Sequence, residues 1–268
     1  MSDTEPAAIL ERLNGPRELQ VAVLALLLPP GSKRAARAWQ RECADYAPAA
    51  AIGESAGRLA GAARLPWLEL LLTRLRAQPL SERQNLLEAT RRVMSARGVQ
   101  RPLDRLHWLA MRQRLGESSP AANRVAATTE LSQLPQHDVE AIAVYSAFLA
   151  RMVPKQPAEL DDPAPTPAGL AWYASVMAPW AGRAEIPPCE PPATDGFVNA
   201  LQVIQAVAWM QRPALVRGWT GAAILHSPYG RLDDTAADAL RLSCSLLDSP
   251  LPPELARHYG TNAFAAAS

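Results

Sequence analysis

Apolar side chains recur along most of this chain at steps of three and four residues, the spacing that lines one face of an α-helix. Over residues 81–97, Leu86, Leu87, Val93 and Met94 share a face and Ser81 and Gln84 stand at capping-box spacing. Gly98 follows where a left-handed closing residue is favoured, so a helix is predicted there. Pro102 suits a first helical position, and Leu103, Leu106 and Ala110 carry a second stripe that ends at Gly116, giving a helical hairpin. Val139, Ile142, Ala143, Leu149 and Met152 mark another amphipathic helix, with Asp138 placed to cap its start or to favour it through the dipole. A comparable hairpin is predicted near the C-terminus. Pro213 opens it, Leu215, Trp219, Ala222 and Ala223 form its face, residues 227–230 turn, and Asp233 or Asp234 caps a helix running through Leu247. Leu86 and Leu215, and Asp104 and Asp238, occupy corresponding places in the two hairpins, which raises an internal repeat as one reading and a shared helical period as the other.

Proline divides these elements. Residues 154–167 hold five prolines in fourteen positions, so an extended linker is expected. The predicted organisation is an N-terminal helical lobe over 1–153, a linker over 154–168 and a C-terminal helical lobe over 169–268. Residues 187–192, Pro-Pro-Cys-Glu-Pro-Pro, read as a polyproline-like loop inside the second lobe. Abundant Ala and Leu beside few β-branched residues argue against a β-sandwich or barrel and for an all-α fold of about a dozen helices in two lobes.

A net charge of +1 provides no overall pull toward nucleic acid or anionic membranes. The charge is unevenly placed: residues 64–117 carry eleven arginines against five carboxylates. Arg91, Arg92, Arg97, Arg101 and Arg105 crowd the first hairpin turn, where guanidinium groups could bind phosphate or a partner's carboxylates, or simply form a solvated face. Interleaved aromatics for base stacking are lacking, so nucleic acid is not the expected partner. The longest uncharged apolar run, residues 21–28, is eight residues against about 20 for a membrane span, so no span is expected. The acidic first residues do not suggest a secretory signal, and three widely spaced cysteines, Cys43, Cys189 and Cys244, fit a reducing cytoplasm.

Chemistry is sparse. The nearest approach to H-E-x-x-H is His137-Asp138-Val139-Glu140-Ala141, which lacks the glutamate between the ligands and the second histidine. His107, His226 and His258 are far apart in sequence, and only a fold that gathered His107 or His226 with carboxylates would suggest an enzyme. Gly53, Gly57 and Gly61 lack the lysine of a P-loop and read as a small-residue packing face. No G-x-S-x-G elbow nominates a serine, and Cys189 has no identifiable base beside it. No catalytic residue, metal ligand or cofactor is expected.

The string Leu247-Asp248-Ser249-Pro250-Leu251-Pro252-Pro253, with residues 64–70 (Arg-Leu-Pro-Trp-Leu-Glu-Leu) and 80–84 (Leu-Ser-Glu-Arg-Gln), resembles the cytosolic C-terminal region of bacterial membrane-embedded zinc metallopeptidases of the HtpX type. The likeness covers most of the chain in order through short leucine-rich strings. It implies hairpins similar to tellurite-resistance TerB-type helical modules, whose turn reads Asp-Gly with a glutamate six residues on. Gly98 and Gly230 match the glycine, but Arg97 and Tyr229 replace the aspartate, and Asp104 and Ala236 take the later acidic place, so a hard-cation site does not carry over. The peptidase motif and spans of that family are absent from the sequence. The resemblance therefore implies a non-catalytic interaction or regulatory module in the cytoplasm, held at the membrane through a protein partner such as a separately encoded peptidase. The alternative is an anion-binding module that meets nucleic acid or acidic lipid through residues 64–117.

Overall fold

The computed structural model describes residues 4–96, 98, 100–116, 130–155 and 164–260. Within them the chain forms thirteen α-helices, three short 3-10 turns and no strand, as the periodicity predicts. It divides into two compact units. The first holds residues 1–100, 107–118 and 259–268 and the second holds residues 101–106 and 119–258, each with its own core.

The first unit contains α1 (Thr4–Arg12), α2 (Pro16–Leu26), α3 (Lys33–Glu42), α4 (Ala49–Arg58), α5 (Gly61–Leu75), α6 (Leu80–Ser95) and most of α7 (Pro102–Leu115). Its centre is α2, whose residues from Leu19 to Leu26 are all buried against α4, α5 and α6. The apolar run noted in the sequence is therefore mostly buried helix, with Leu27 in the cap position and Leu28 partly exposed beyond it. Its start is fixed by Glu18, whose carboxylate accepts the backbone N–H of Gly15 at 3.0 Å and of Asn14 at 3.1 Å, and the Tyr46 hydroxyl at 3.2 Å. These bonds, the one from Gly15 foremost, hold the Glu18 carboxyl below its ordinary value. A lowered folded-state value means stability that is complete above the ordinary value of about 4.5 and disappears as pH falls through the folded one. Glu18→Gln is expected to cost about 0.5–1 kcal/mol at neutral pH, as a lost cap does. Urea titrations of both proteins should show that difference shrinking below pH 4.5.

Two sequence expectations fail in this unit for local reasons. Helix α6 starts one residue before Ser81, with Pro79 in the cap position, and no side chain caps it, so Ser81 and Gln84 make no capping box. The proposed glycine stripe is broken: a Cβ on Gly53 would lie 2.4 Å from Trp39, Gly57 faces open space, and Gly61 already belongs to the next helix. Gly53 is the one of the three that makes room for a neighbour. Gly98 does take the left-handed conformation, at φ +90°.

The second unit is built around α8 (Gln136–Leu149), which packs on α10 (Thr194–Ala206) and α9 (Pro167–Met177). Ten of its fourteen residues are buried, Asp138 and Ser146 included, so α8 is not an amphipathic surface helix but the core of this unit. That is why the division near residue 118 replaces the one expected at the proline linker: α8 buries its apolar surface with the helices that follow it. Residues 156–163 of the linker lie outside the described residues. Helices α11 (Arg212–Leu225), α12 (Asp234–Leu246) and α13 (Pro253–Tyr259) complete the set, and Asp233 caps α12 by accepting the N–H of Ala236 at 2.7 Å. Helix α11 packs on α12 and α9, whereas α6 packs on α3 and α2, so the two hairpins paired in the sequence have different surroundings.

A column of aromatic rings runs through this core. Trp219 stacks on Tyr145 with centroids 5.3 Å apart, Tyr145 on Phe197 at 5.2 Å, and Phe197 meets Phe148 at 3.9 Å. The Trp219 indole N–H donates to the Ser146 hydroxyl at 3.1 Å, and its carbonyl accepts the Trp172 indole at 3.0 Å. The Tyr145 hydroxyl bonds the Ser243 hydroxyl at 2.9 Å. Ser243 already gives its proton to the carbonyl of Ala239, so Tyr145 is the donor. Gly169 lets α9 approach this assembly, since a Cβ there would sit 2.1 Å from the carbonyl of Ala150.

Candidate functional site

The arginine-rich stretch is where the sequence places a binding surface, and most of its guanidinium groups are turned onto the fold itself. Arg64 donates to the carbonyls of Leu26, Leu28 and Ala25 at 2.8, 3.0 and 3.2 Å, closing the C-terminal end of α2, and to Ala56 at 2.8 Å. Arg74 does the same for the end of α1 through Glu11 and Leu13, at 3.0 and 2.9 Å. Arg83 reaches Leu115 at the end of α7, at 3.0 Å. Arg114 bonds the carbonyl and carboxylate of Glu69 at 3.2 and 3.3 Å. The last carbonyls of a helix have no partner inside it and carry the negative end of its dipole, so a planar cation with five donors satisfies both needs. In the second unit Arg212 plays this part for two helices at once, donating to Val207 at the end of α10 at 2.9 Å and to Leu247 at the end of α12 at 3.3 Å.

The five arginines singled out from the sequence divide between the units. Arg91 and Arg92 belong to the first, Arg101 and Arg105 to the second, and Arg97 lies outside the described residues. Arg91 lies over the Trp108 ring, 5.5 Å from its centroid. Arg92 grips Glu42 through two bonds of 2.6 and 2.8 Å, which lowers the Glu42 carboxyl pKa. Arg101 pairs at 3.2 Å with Asp104, which is buried and also accepts the Arg101 backbone N–H. Arg105 lies over Phe197, 5.6 Å from the centroid.

Arg92 lines a cleft of about 610 Å³ in the first unit, together with Arg17, Ala38, Arg41, Glu42, Ala44 and Asp45. Arg17 pairs with Asp45 and donates to the carbonyl of Glu42 at 2.7 Å. With Arg17 and Arg92 so engaged, Arg41 is the cation left to offer its donors, and the cleft carries three positive against two negative groups. That chemistry suits recognition of an anion. Arg17 and Arg41 gave no distinct signal in the sequence, since both stand outside the stretch rich in arginine.

Groups suited to bond-making are few. His226 approaches the Ser175 hydroxyl at 2.8 Å, but no described carboxylate bonds its other ring nitrogen, and Ser175 sits within α9. His258 pairs with Asp234 at 3.1 Å. His137 is exposed at the start of α8. Burial pushes the Cys189 thiol up to about 11, which leaves little thiolate at neutral pH. Among the described residues no three His, Cys, Asp or Glu side chains gather closely enough to hold a metal ion.

Large apolar side chains reach solvent mainly in the second unit. Trp209 is 67% exposed and Met210 48%, just before α11, while Leu225, its last residue, is 74% exposed and Tyr229, just beyond, is fully exposed. Tyr229 is held at φ +57°, a conformation that a bulky residue rarely adopts. No helix among the described residues is long and apolar enough to cross a membrane. No protein-family model, curated protein or solved structure matches the chain.

Proposed function

We propose that this protein is a non-catalytic helical module that docks a protein partner on its second unit. The observation that carries this reading is the set of large apolar side chains left in water at the two ends of α11, Trp209 and Met210 at one and Leu225 and Tyr229 at the other. Aromatic anchors of this kind dominate the energetics of protein interfaces, and a contiguous helix of fourteen residues spaces the two pairs by about 21 Å. The likeness to the cytosolic region of membrane zinc metallopeptidases makes such a peptidase the first partner to test, with the module on the cytoplasmic face of the membrane.

A photo-reactive residue placed at Trp209 or Tyr229 in living cells tests this directly. The expected result is one defined crosslinked protein from both positions and none from exposed Arg58, with a membrane peptidase as its identity. Absence of any crosslink at either position would end the docking reading.

The arginine-lined cleft favours a second reading, in which the first unit captures an anion such as nucleic acid or acidic lipid. It expects binding that weakens steeply with salt and is lost when the cleft arginines Arg17, Arg41 and Arg92 are neutralised together. Binding insensitive to salt contradicts it.

A further inference from the structure

We propose that Arg105 and Arg151 form a binding site for a divalent oxyanion of the phosphate class, built over the Phe148–Phe197 ring pair of the second unit. This goes beyond the docking reading and uses none of its residues.

The site starts from the end of the aromatic column. Phe148 and Phe197 are both buried, with centroids 3.9 Å apart. Arg151 lies over the first at 5.8 Å and Arg105 over the second at 5.6 Å. Two guanidinium groups thus share one small platform. Elsewhere in this protein half-buried arginines are tied to carbonyls or carboxylates, as Arg64, Arg74, Arg101 and Arg114 are. Among the described residues neither Arg105 nor Arg151 has a hydrogen bond or an ion pair; the Arg151 Nε is buried without an acceptor, as are those of Arg17, Arg83 and Arg101, but those three arginines have other bonds. Asp195, in the first turn of α10, is the carboxylate whose charge favours Arg105, but it makes no ion pair with it.

Leaving two like charges together, partly desolvated and without acceptors, is unfavourable unless a counter-charge joins them. Burial makes both groups less basic, and the charge of Arg105 adds to this effect on Arg151. A doubly charged oxyanion matches the pair in charge and offers several acceptor oxygens to planar forks that bind such groups in a bidentate manner. Both rings are buried and Phe197 is already stacked on Tyr145, so no ring face is open to a nucleobase and recognition is of the phosphate head alone.

The test uses the full chain. Its melting temperature is followed against inorganic phosphate, and in a second arm against glycerol phosphate, with chloride holding ionic strength constant. The expected result is a saturable rise in Tm. A response to inorganic phosphate alone assigns the free ion, and a stronger response to glycerol phosphate assigns a monoester. In the double variant Arg105→Met, Arg151→Met the response should vanish, whereas Arg92→Met, in the cleft, should retain it. If the double variant does not fold, Arg151→Lys read by phosphorus NMR line broadening decides, with affinity expected to fall about tenfold because a single ammonium replaces a fork. No saturable rise, a rise that persists in the double variant, or an unchanged affinity in Arg151→Lys overturns the proposal. Each result stands apart from crosslinking at Trp209 and Tyr229, so the two readings fail separately.

Discussion

Replacing Arg212 by methionine is expected to lower the unfolding free energy by about 3–5 kcal/mol, because three carbonyls lose their donor, two of them, those of Val207 and Leu247, in buried bonds. Arg212 is only 4% exposed. Its Nε and Nη atoms hold Val207, Gln205 and Leu247, so the C-terminal ends of α10 and α12 are tied to the first turn of α11 by one side chain. Burial lowers its basicity, partly offset by the charge of Asp248. Charge alone is not what the site needs. Lysine has the charge but not the fork, and cannot span carbonyls belonging to two helices, so Arg212→Lys should lose about 2 kcal/mol or more. Urea denaturation of the three proteins checks this. A lysine variant as stable as the parent would mean that electrostatics, not directed hydrogen bonds, close these helix ends.

Trp219→Ala is the second large effect, about 3–5 kcal/mol, the usual cost of emptying a large aromatic site in a core. Trp219 has no exposure, stacks on Tyr145 and donates to Ser146. Its removal opens a cavity at one end of the aromatic column and orphans the Ser146 hydroxyl. Trp219→Phe separates these terms, since it keeps a ring against Tyr145 and loses only the indole donor and part of the volume. An intermediate loss of about 1–2 kcal/mol is expected for it. The same denaturation curves should show an unchanged slope, because the surface exposed on unfolding is nearly the same. If Trp219→Ala cost no more than a surface substitution, the column would not be the core of the second unit.

The parts of this fold that could be read from the sequence are those governed by local periodicity. Pro102, Leu103, Leu106 and Ala110 predict α7 because a helix repeats its face every turn, and Pro213 and Asp233 mark the starts of α11 and α12 because start signals act within a turn. What failed depended on distant partners. Helix α8 shows an amphipathic stripe, yet its alanines and Ser146 are buried as well, since helices on both sides enclose it. The two units part near residue 118 rather than at the linker prolines, because α8 shares a core with α9 and α10. The arginines are the clearest case. A local excess of six positive charges over residues 64–117 describes composition. Whether a guanidinium group faces water or a carbonyl is set by residues such as Ala25 for Arg64 and Glu11 for Arg74, many positions away. Arg151, outside that stretch, carried no signal at all, and only the packing of α8 against α10 brings it beside Arg105's ring platform.

The central claim is that Arg64, Arg74, Arg83 and Arg212 are structural, each closing a helix end through backbone carbonyls. Nitrogen-resolved NMR of the arginine side chains of the full chain tests it most directly. Arg64, Arg74, Arg83 and Arg212 should each show separate Nη–H signals, slowed in rotation and protected from exchange with water. If all four gave single, averaged and rapidly exchanging signals like those of a solvated arginine, their guanidinium groups would be free at the surface and the account would be wrong.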